Sequence, residues 1–578
     1  MPPIKNNPTL SHSLTQERFL FRHQNNHLDV AFKQRVWFII LFFCIFISLI
    51  IVKAIYLQTY KSHWLIQEAS KQYSKQYQSS GKRGIIYDRN NRELSVTVDI
   101  YSIFCHPEQI DRNKIDAQKI ASILQMDYQD VLSKLCSDKK FIWIKRLVSP
   151  EQAQNIQAMN INGIYVKSEI GRVYPHRTLA AQLIGFTGID GNGLEGLEYY
   201  YNDYLMGKST ESTILKDAHG RTFLSTNENQ GGNHIILTID YTIQFLTESV
   251  VQETVDKYGA KSALAIVMDP HTGEILAMAQ APTFNPNNFQ DYDPDLWRNR
   301  SITDSFEPGS TMKIFLAAAA IESGKCDMNS LFFCENGEYR IGSKVIHDDH
   351  PHDWLTLLQI IKYSSNIGAI KVSEYIGAEY LYRILTGFGF SKKTNIDCPA
   401  ETSGSLKSVQ EWSDLERSTI SYGYGISVSA LQLITAASAI AKNGILMQPY
   451  LVKSIIDMNG NEIYSFSPTK SNKVISKKTA KSVRKMMEAV VEPGGTGESS
   501  SIQGYKVCGK TGTSRKINPD GTYSTDKYYA SFIGFAPSTN PKIVVLVVVD
   551  EPETDFYGGK VCAPAFKRIV YETLLQNW

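Results

Sequence analysis

The segment "FEPGSTMKIFLAAAAIESG" (Phe306–Gly324) places a serine, Ser310, three residues ahead of a lysine, Lys313, in a run otherwise nearly free of charge. Pro308-Gly309 breaks the chain and Gly324 can stop a helix, so the spacing predicts a helix from Ser310 to Gly324. Ile314, Phe315, Leu316, the alanines 317–320 and Ile321 leave that helix no polar face, and a helix apolar all round is buried. Lys313 is then buried, one turn beyond Ser310 and on the same face. Desolvation disfavours its ammonium form, and an amine tuned towards neutrality can take the proton of a serine hydroxyl. The N–H groups at the helix start favour negative charge developing beside that serine. On this tetrapeptide alone the plainer reading stands: a lysine that reaches solvent and a serine that only caps the helix.

Two further segments carry compatible side chains. "KYSSNIG" offers Ser364 and Asn366, and "KVCGKTGTS" offers Lys510, Thr511, Gly512 and Thr513 after an apolar, strand-like lead-in. Each is weak by itself, since S-x-N is a common loop or helix-start sequence and K-T-G an ordinary strand end. Their order after Ser310 and Lys313 makes them worth joining into one site.

The elements that must position these residues are legible in outline. "SALAIVMDPHTGEILAMAQAP" reads as a hairpin of two apolar strands, and "KIVVLVVVD" (Lys542–Asp550) as a β-branched central strand. "SALQLITAASAIAKNG" and residues 563–576 read as helices. Strands at both ends with helices between them predict one sheet whose strands are distant in sequence, covered by helices. Residues 58–224 mix short strands such as "GIIYDRN" with helical runs such as "KIASILQMDYQDVLSKL", and hold no nucleophile or metal-spaced cluster. "LSTNENQGG" reads as a linker.

At 578 residues the chain exceeds one ordinary domain, and 43% hydrophobic residues suffice for large cores. Sixty Lys+Arg against 58 Asp+Glu leave no nucleic-acid footprint. Eight cysteines without a CxxC pair exclude a dense disulfide framework. Cys326 and Cys334 lie close enough in sequence to pair in an oxidising compartment, or to stay two unlinked apolar side chains. The uninterrupted apolar run Val36–Val52, continued past Lys53, predicts a membrane-spanning helix with no cleavage site after it. Lys5, Arg18, Arg22, Lys33 and Arg35 outnumber Glu17 and Asp29 ahead of it, which puts the short tail in the cytoplasm and the bulk of the chain outside.

Taken together and in this order, the three segments match the motif set of penicillin-recognising serine enzymes. The chain resembles the class B penicillin-binding proteins over nearly its whole length. "RGIIYDRNNREL", "LIGFTGIDGNGLEGLE", "SYGYGISVSALQL", "PGGTG" and "YGGKVCAPAF" resemble division-type members at their expected places. The elongation-type relative generally differs around Leu183–Glu198. The resemblance implies a multidomain α+β / α/β protein. Its parts are a cytoplasmic tail (1–35), a transmembrane anchor (36–57), a mixed α/β pedestal of the dimerisation type (58–224), a linker (225–232) and a transpeptidase domain (233–578) with a central antiparallel sheet flanked by helices.

The resemblance also implies a serine-type D,D-transpeptidase of the D-Ala-D-Ala carboxypeptidase class, acting on peptidoglycan stem peptides and acylated by β-lactams. Ser310 would be the nucleophile and Lys313 its base. Ser364 would relay protons between Lys313, Lys510 and the leaving amine, and Asn366 would hold the donor amide. Lys510, Thr511, Gly512 and Thr513 would line the site for the terminal carboxylate, with the N–H groups of Ser310 and Thr513 as oxyanion hole. No metal or organic cofactor is implied. Expected partners are the membrane, through one helix, a lipid-linked glycan polymerase and other division proteins, with no nucleic acid. The expected location is the bacterial inner membrane, catalytic part in the periplasm, at the septum.

"HDDHPHDW", with His347, Asp348, Asp349, His350, His352 and Asp353, is expected to be a solvated rim loop, its spacing being too irregular for zinc. Cys508 is expected to pack as a small strand residue. A class A β-lactamase shares the motifs but is far shorter and lacks anchor and pedestal. A bifunctional penicillin-binding protein would need a glycosyltransferase domain, whose acidic motif is missing after the anchor. A catalytically silent sensor or scaffold would not need the complete set Ser310, Lys313, Ser364 and Lys510.

Overall fold

Residues too apolar to leave a bilayer and residues too β-branched to favour a helix decide the two extremes of this fold. The computed structural model describes residues 25–79, 81–111, 115–207, 210–216, 222–224, 231–466 and 471–576. Most of the expected linker 225–232, and residues 1–24 of the expected tail, lie outside them. The chain forms two compact units, residues 1–79 with 211–228, and residues 80–210 with 229–578.

The first unit contains the helix Asn25–Thr59. Its segment Phe32–Thr59 has a mean hydropathy of 3.0 and no buried part. At about 1.5 Å per residue it is about 42 Å long, enough to cross a hydrocarbon layer of about 30 Å. The helix Ser62–Tyr73 follows, and a three-stranded sheet runs in the order Ser74–Ser79, Thr210–Lys216, Thr222–Leu224.

In the second unit, "HIILTID" makes the strand His234–Leu237. It pairs in parallel with Ile86–Tyr87 and antiparallel with Val452–Ile456, inside a seven-stranded sheet that also holds Glu93–Cys105, Ile142–Val148 and Ile164–Val173. One sheet thus draws strands from both sides of the expected linker. The run "KIASILQMDYQDVLSKL" is two helices, Ala117–Leu124 and Tyr128–Leu135. Gln125 turns left-handed (φ +51°) and the Asp127 carboxylate caps the second helix, accepting from Gln129 N–H at 2.7 Å. A fully buried carboxylate, Glu198, joins three segments: it accepts from Arg83 Nε and Arg172 Nε, both at 2.6 Å, and from Ser95 Oγ at 3.2 Å. Burial pushes its carboxyl up, yet the two guanidinium groups outweigh that and hold it below the usual range.

The C-terminal part of this unit is built on a five-stranded antiparallel sheet. In chain order its strands are β1 (Ser262–Met268), β2 (Ile275–Ala281), β3 (Cys508–Ile517), β4 (Tyr523–Ala536) and β5 (Ile543–Asp550), arranged β2-β1-β5-β4-β3. β1 and β2 form the expected hairpin and β5 is central, with Val544 opposite Met268 and Val548 opposite Leu264. Val544, Leu546 and Val548 face one core, while Ile543, Val545, Val547 and Val549 face another. A strand buried on both faces has no polar side, hence the unbroken β-branched run.

On one face lie the helices α1 (Lys313–Glu322), α2 (Leu357–Tyr363), α3 (Asn366–Ile376), α4 (Ala430–Ala441) and α5 (Lys477–Val491). Tyr241–Tyr258 and Ala563–Leu575 cover the other. Two consequences matter for function. The alanines 317–320 let α1 run through the core, and β3 ends the sheet with one edge unpaired.

Candidate active site

Ser310 lies in a single 3-10 turn, Gly309–Met312, that feeds directly into α1; the regular helix runs from Lys313 rather than from the serine and ends at Glu322, with Gly324 (φ +71°) turning the chain just beyond it. Gly309 adopts φ +54°, and a Cβ there would lie 2.6 Å from the Thr513 carbonyl oxygen. Only glycine lets the turn approach β3 so closely. The same proximity orients β3. The Thr513 carbonyl points away from β4 towards Gly309, and the N–H of a strand residue points to the same side as its carbonyl. Thr511 follows the same rule, its carbonyl accepting from Lys510 Nζ at 3.0 Å. The free edge of β3 at Thr513 therefore faces the Ser310 turn, with the Thr513 N–H on that side.

Lys313 is fully buried. Its Nζ donates to the Ser364 carbonyl at 2.6 Å and to Asn366 Oδ1 at 2.7 Å, and lies 2.8 Å from Ser310 Oγ and 3.2 Å from Ser364 Oγ. The carbonyl and the amide oxygen are acceptors only. In a neutral amine they occupy both N–H bonds, which leaves the nitrogen lone pair for the Ser310 hydroxyl. Burial draws Lys313 down to about 7, with the nearby Asp348 and Asp349 carboxylates pulling the other way.

Lys510 is also fully buried, its Nζ 2.9 Å from Ser364 Oγ. Burial pushes it well below the ordinary lysine range, and the positive charge available to Lys313 adds to that. A continuous chain of polar atoms results: Ser310 Oγ, Lys313 Nζ, Ser364 Oγ, Lys510 Nζ. Ser364 can bridge the two amines because it takes the left-handed conformation, φ +62°, at the end of α2. That conformation turns its carbonyl and its hydroxyl towards Lys313 together. Such a backbone is unfavourable for a serine and is held here by the helices on both sides.

All eight residues singled out in the sequence, Ser310, Lys313, Ser364, Asn366, Lys510, Thr511, Gly512 and Thr513, meet at this junction of α1, the α2–α3 connection and β3. Gly512 packs where a Cβ would meet Thr311 and the Pro308 carbonyl. Thr513 Oγ1 accepts from Gly558 N–H at 3.2 Å.

Sequence reasoning missed two neighbours. Asp348, expected in a solvated loop, turns inward onto the start of α3. Its Oδ1 accepts from Asn366 N–H at 2.5 Å and Ile367 N–H at 3.0 Å, and its Oδ2 from Ser365 Oγ at 2.5 Å. The free N–H groups of a helix start attract a carboxylate, and this one fixes the backbone of Asn366. Thr496, from "PGGTG", accepts from Thr511 Oγ1 at 3.1 Å, and its N–H donates to the Lys362 carbonyl at 3.4 Å. It thereby ties β3 to α2. Thr496 lies in a segment noted only for its resemblance, with no role read from it, and an acid three-dimensionally opposite a helix start leaves no spacing to read.

Cys326 and Cys334 are buried free thiols, so the disulfide alternative is not realised; the Cys334 S–H instead donates to the Phe332 carbonyl at 3.6 Å. Cys508 packs fully buried in β3. Among the described residues no group of three or more His, Cys, Asp or Glu side chains is arranged to hold a metal ion.

Residues 263–571 match the penicillin binding protein transpeptidase domain, and residues 78–237 the penicillin-binding protein dimerisation domain. Over 545 residues the chain is 34% identical to the probable peptidoglycan D,D-transpeptidase PenA of Neisseria gonorrhoeae, covering 93% of this chain and 91% of that protein. It is likewise 34% identical over 539 residues to peptidoglycan D,D-transpeptidase FtsI of Escherichia coli K12, covering 91% and 89%. Stage V sporulation protein D of Bacillus subtilis is 33% identical over 558 residues, covering 94% and 86%. A crystal structure of penicillin binding protein 3 from Mycobacterium tuberculosis, complexed with aztreonam, superposes with a TM-score of 0.69 at 27% identity, covering 86% of this chain and 97% of that one. With a serine–amine chain at the edge of its five-stranded sheet, a transpeptidase domain and a dimerisation domain matched along their length, and relatives of that activity covering nearly all of it, the chain belongs to the class B penicillin-binding proteins and is a peptidoglycan D,D-transpeptidase.

Proposed function

We propose that the enzyme cross-links stem peptides at the division septum through an ester on Ser310. The observation that carries this reading is the 2.8 Å approach of Lys313 Nζ, with its N–H bonds engaged elsewhere, to Ser310 Oγ. Lys313 takes the Ser310 proton as Oγ attacks the carbonyl of the penultimate D-Ala. Negative charge on that oxygen is met by the N–H groups of Ser310 and Thr513. The C–N bond to the terminal D-Ala breaks, and its nitrogen receives a proton through Ser364. An acceptor amine of a neighbouring stem then attacks the ester carbonyl and gives up a proton. An amide forms and Ser310 Oγ–H is restored.

Lys510, Thr511 and Thr513 hold the terminal carboxylate. The arriving charge restores the ammonium form of Lys510, which burial alone disfavours. Asn366 holds the donor amide. β-Lactams imitate the D-Ala-D-Ala end and leave Ser310 acylated.

The helix Phe32–Thr59 anchors the enzyme in the inner membrane, with the tail in the cytoplasm and the catalytic part in the periplasm. The division assignment rests on the resemblance of residues 183–198 to division-type members, with the 34% identity to peptidoglycan D,D-transpeptidase FtsI beside it. Anchor and pedestal (58–224) receive a lipid-linked glycan polymerase and other division proteins.

Incubation of the purified chain with a fluorescent penicillin tests the site: wild type becomes covalently labelled, and Ser310→Ala and Lys313→Ala do not. Labelling of Ser310→Ala would sink the nucleophile assignment, and rapid turnover of the penicillin would indicate a β-lactamase. Depletion tests the cellular role. Filamentous, unseptated cells support division, whereas rounded cells point to elongation.

A further inference from the structure

Glu307 stands just before the Pro308-Gly309 break and has no part in the chemistry above. It is 8% exposed. Its Oε1 accepts from Gly425 N–H at 2.7 Å and from the Tyr523 hydroxyl at 3.1 Å, while its Oε2 is buried with no hydrogen-bond partner. Burial pushes its carboxyl above the usual range, against the pull of those two donors. A purely space-filling role would be better served by an apolar side chain, because a buried carboxyl oxygen without a donor lowers stability. The bonds made by Oε1 are therefore the feature to explain.

Those bonds reach two elements that already touch the nucleophile's turn. Gly309 N–H donates to the Gly423 carbonyl at 3.1 Å, so the turn Tyr422–Gly425 abuts the peptide next to Ser310. Ser514 Oγ donates to the Glu307 carbonyl at 2.6 Å, which fastens the same segment to β3. Tyr523 begins β4 at the outer end of the β3–β4 hairpin, and its ring packs against Tyr424 with centroids 5.4 Å apart. Tyr424 Oη accepts from Arg515 N–H at 3.1 Å, so it too is tied to β3.

We infer that Glu307 is a positioning residue for acylation: its carboxyl locks the backbone ahead of Ser310 to the Tyr422–Gly425 turn and, through Tyr523, to the outer β3–β4 hairpin. The placement of that hairpin then sets the placement of Ser310 against Lys313 and the Thr513 N–H. The inference rests on Ser310 being the nucleophile, and it adds that the outer hairpin, remote from the reacting atoms, controls the acylation rate.

The test measures the acylation rate constant with a fluorescent penicillin, separated from initial binding, together with the melting temperature of the same full-length preparations. Glu307→Gln keeps an oxygen acceptor for both donors and leaves an amide unpartnered. It is expected to melt lower yet acylate within about 3-fold of wild type, whereas Glu307→Ala acylates about 30-fold slower or worse, in keeping with the cost of a misplaced reacting group. Tyr523→Phe, which removes one donor at a partly exposed site, is expected to melt like wild type and acylate about 5- to 10-fold slower, with initial binding unchanged. Acylation of Tyr523→Phe at the wild-type rate overturns the inference, and so does a Glu307→Gln variant as slow as Glu307→Ala. If Glu307→Ala does not fold, Tyr523→Phe alone decides. Labelling of a Ser310→Ala control would instead overturn the nucleophile assignment on which the inference is built.

Discussion

At the scale of the residue, the site is distinguished by two amines kept out of water. Lys313 sits near 7 in the folded enzyme against an ordinary value of 10.5, so its lone pair becomes available as pH rises through about 7. Acylation by penicillin is expected to climb through that range and then level, as measured by labelling rates between pH 5.5 and 9. The same shift lowers stability. Between about 7 and 10.5 the unfolded chain binds one more proton at this position than the folded chain, so stability rises with pH there. Below about 7 the full cost is present, on the order of 4–5 kcal/mol for a completely buried group. Lys313→Met is therefore expected to abolish acylation by a factor of about 10³ or more. Its melting temperature relative to wild type becomes more favourable as pH falls from 10 to 6; a pH-independent difference would show that Lys313 is not desolvated.

At the scale of the element, the geometry depends on helix ends and a strand edge. Asp348 holds the first turn of α3, and with it Asn366, while its charge raises the affinity of Lys313 for a proton. Asp348→Asn should move the acidic limb of the acylation profile to lower pH and lose about 1 kcal/mol of stability as a weakened cap. Gly309 offers a sharper case. Its positive φ and the 2.6 Å that a Cβ would leave to the Thr513 carbonyl mean that Gly309→Ala must push the Ser310 turn off the edge of β3. Labelling should fall at least about 10²-fold, with a stability loss of about 1–3 kcal/mol in urea titration.

At the scale of the whole molecule, buried charge joins segments far apart in sequence. Fully buried Glu198 pairs with Arg83 and Arg172 at once, one negative charge shared by two guanidinium groups. Replacing it by glutamine leaves two guanidinium groups facing a neutral amide. Glu198→Gln is expected to lose about 3–5 kcal/mol of stability, read as a lowered urea midpoint, because removing one member of a buried charge cluster strands the others. The His234–Leu237 strand makes a related point. It begins the catalytic part in sequence but is hydrogen-bonded to Ile86–Tyr87, so unfolding of the 80–210 segment should not be separable from unfolding of the sheet beside it.

How much of this could be read from the chain follows from the range of each interaction. The anchor, the β1–β2 hairpin, the doubly buried β5 and the apolar α1 all follow from local apolar pattern, and the eight residues of the site follow from three short motifs in one order. Each of these is a property of neighbouring residues. The partition of residues 117–135 into two helices was lost in a continuous periodicity that one left-handed glutamine interrupts. The roles of Asp348, Thr496 and Glu307 were not legible because each acts on another element, from 15 to 216 residues away, where no spacing rule reaches. By itself the sequence determined which side chains gather at the site and the burial of Lys313, since an apolar helix has nowhere else to go. Only the tertiary structure decided that the Lys313 lone pair faces Ser310, because that depends on the Ser364 carbonyl and Asn366 Oδ1, brought in by another helix, taking up its N–H bonds.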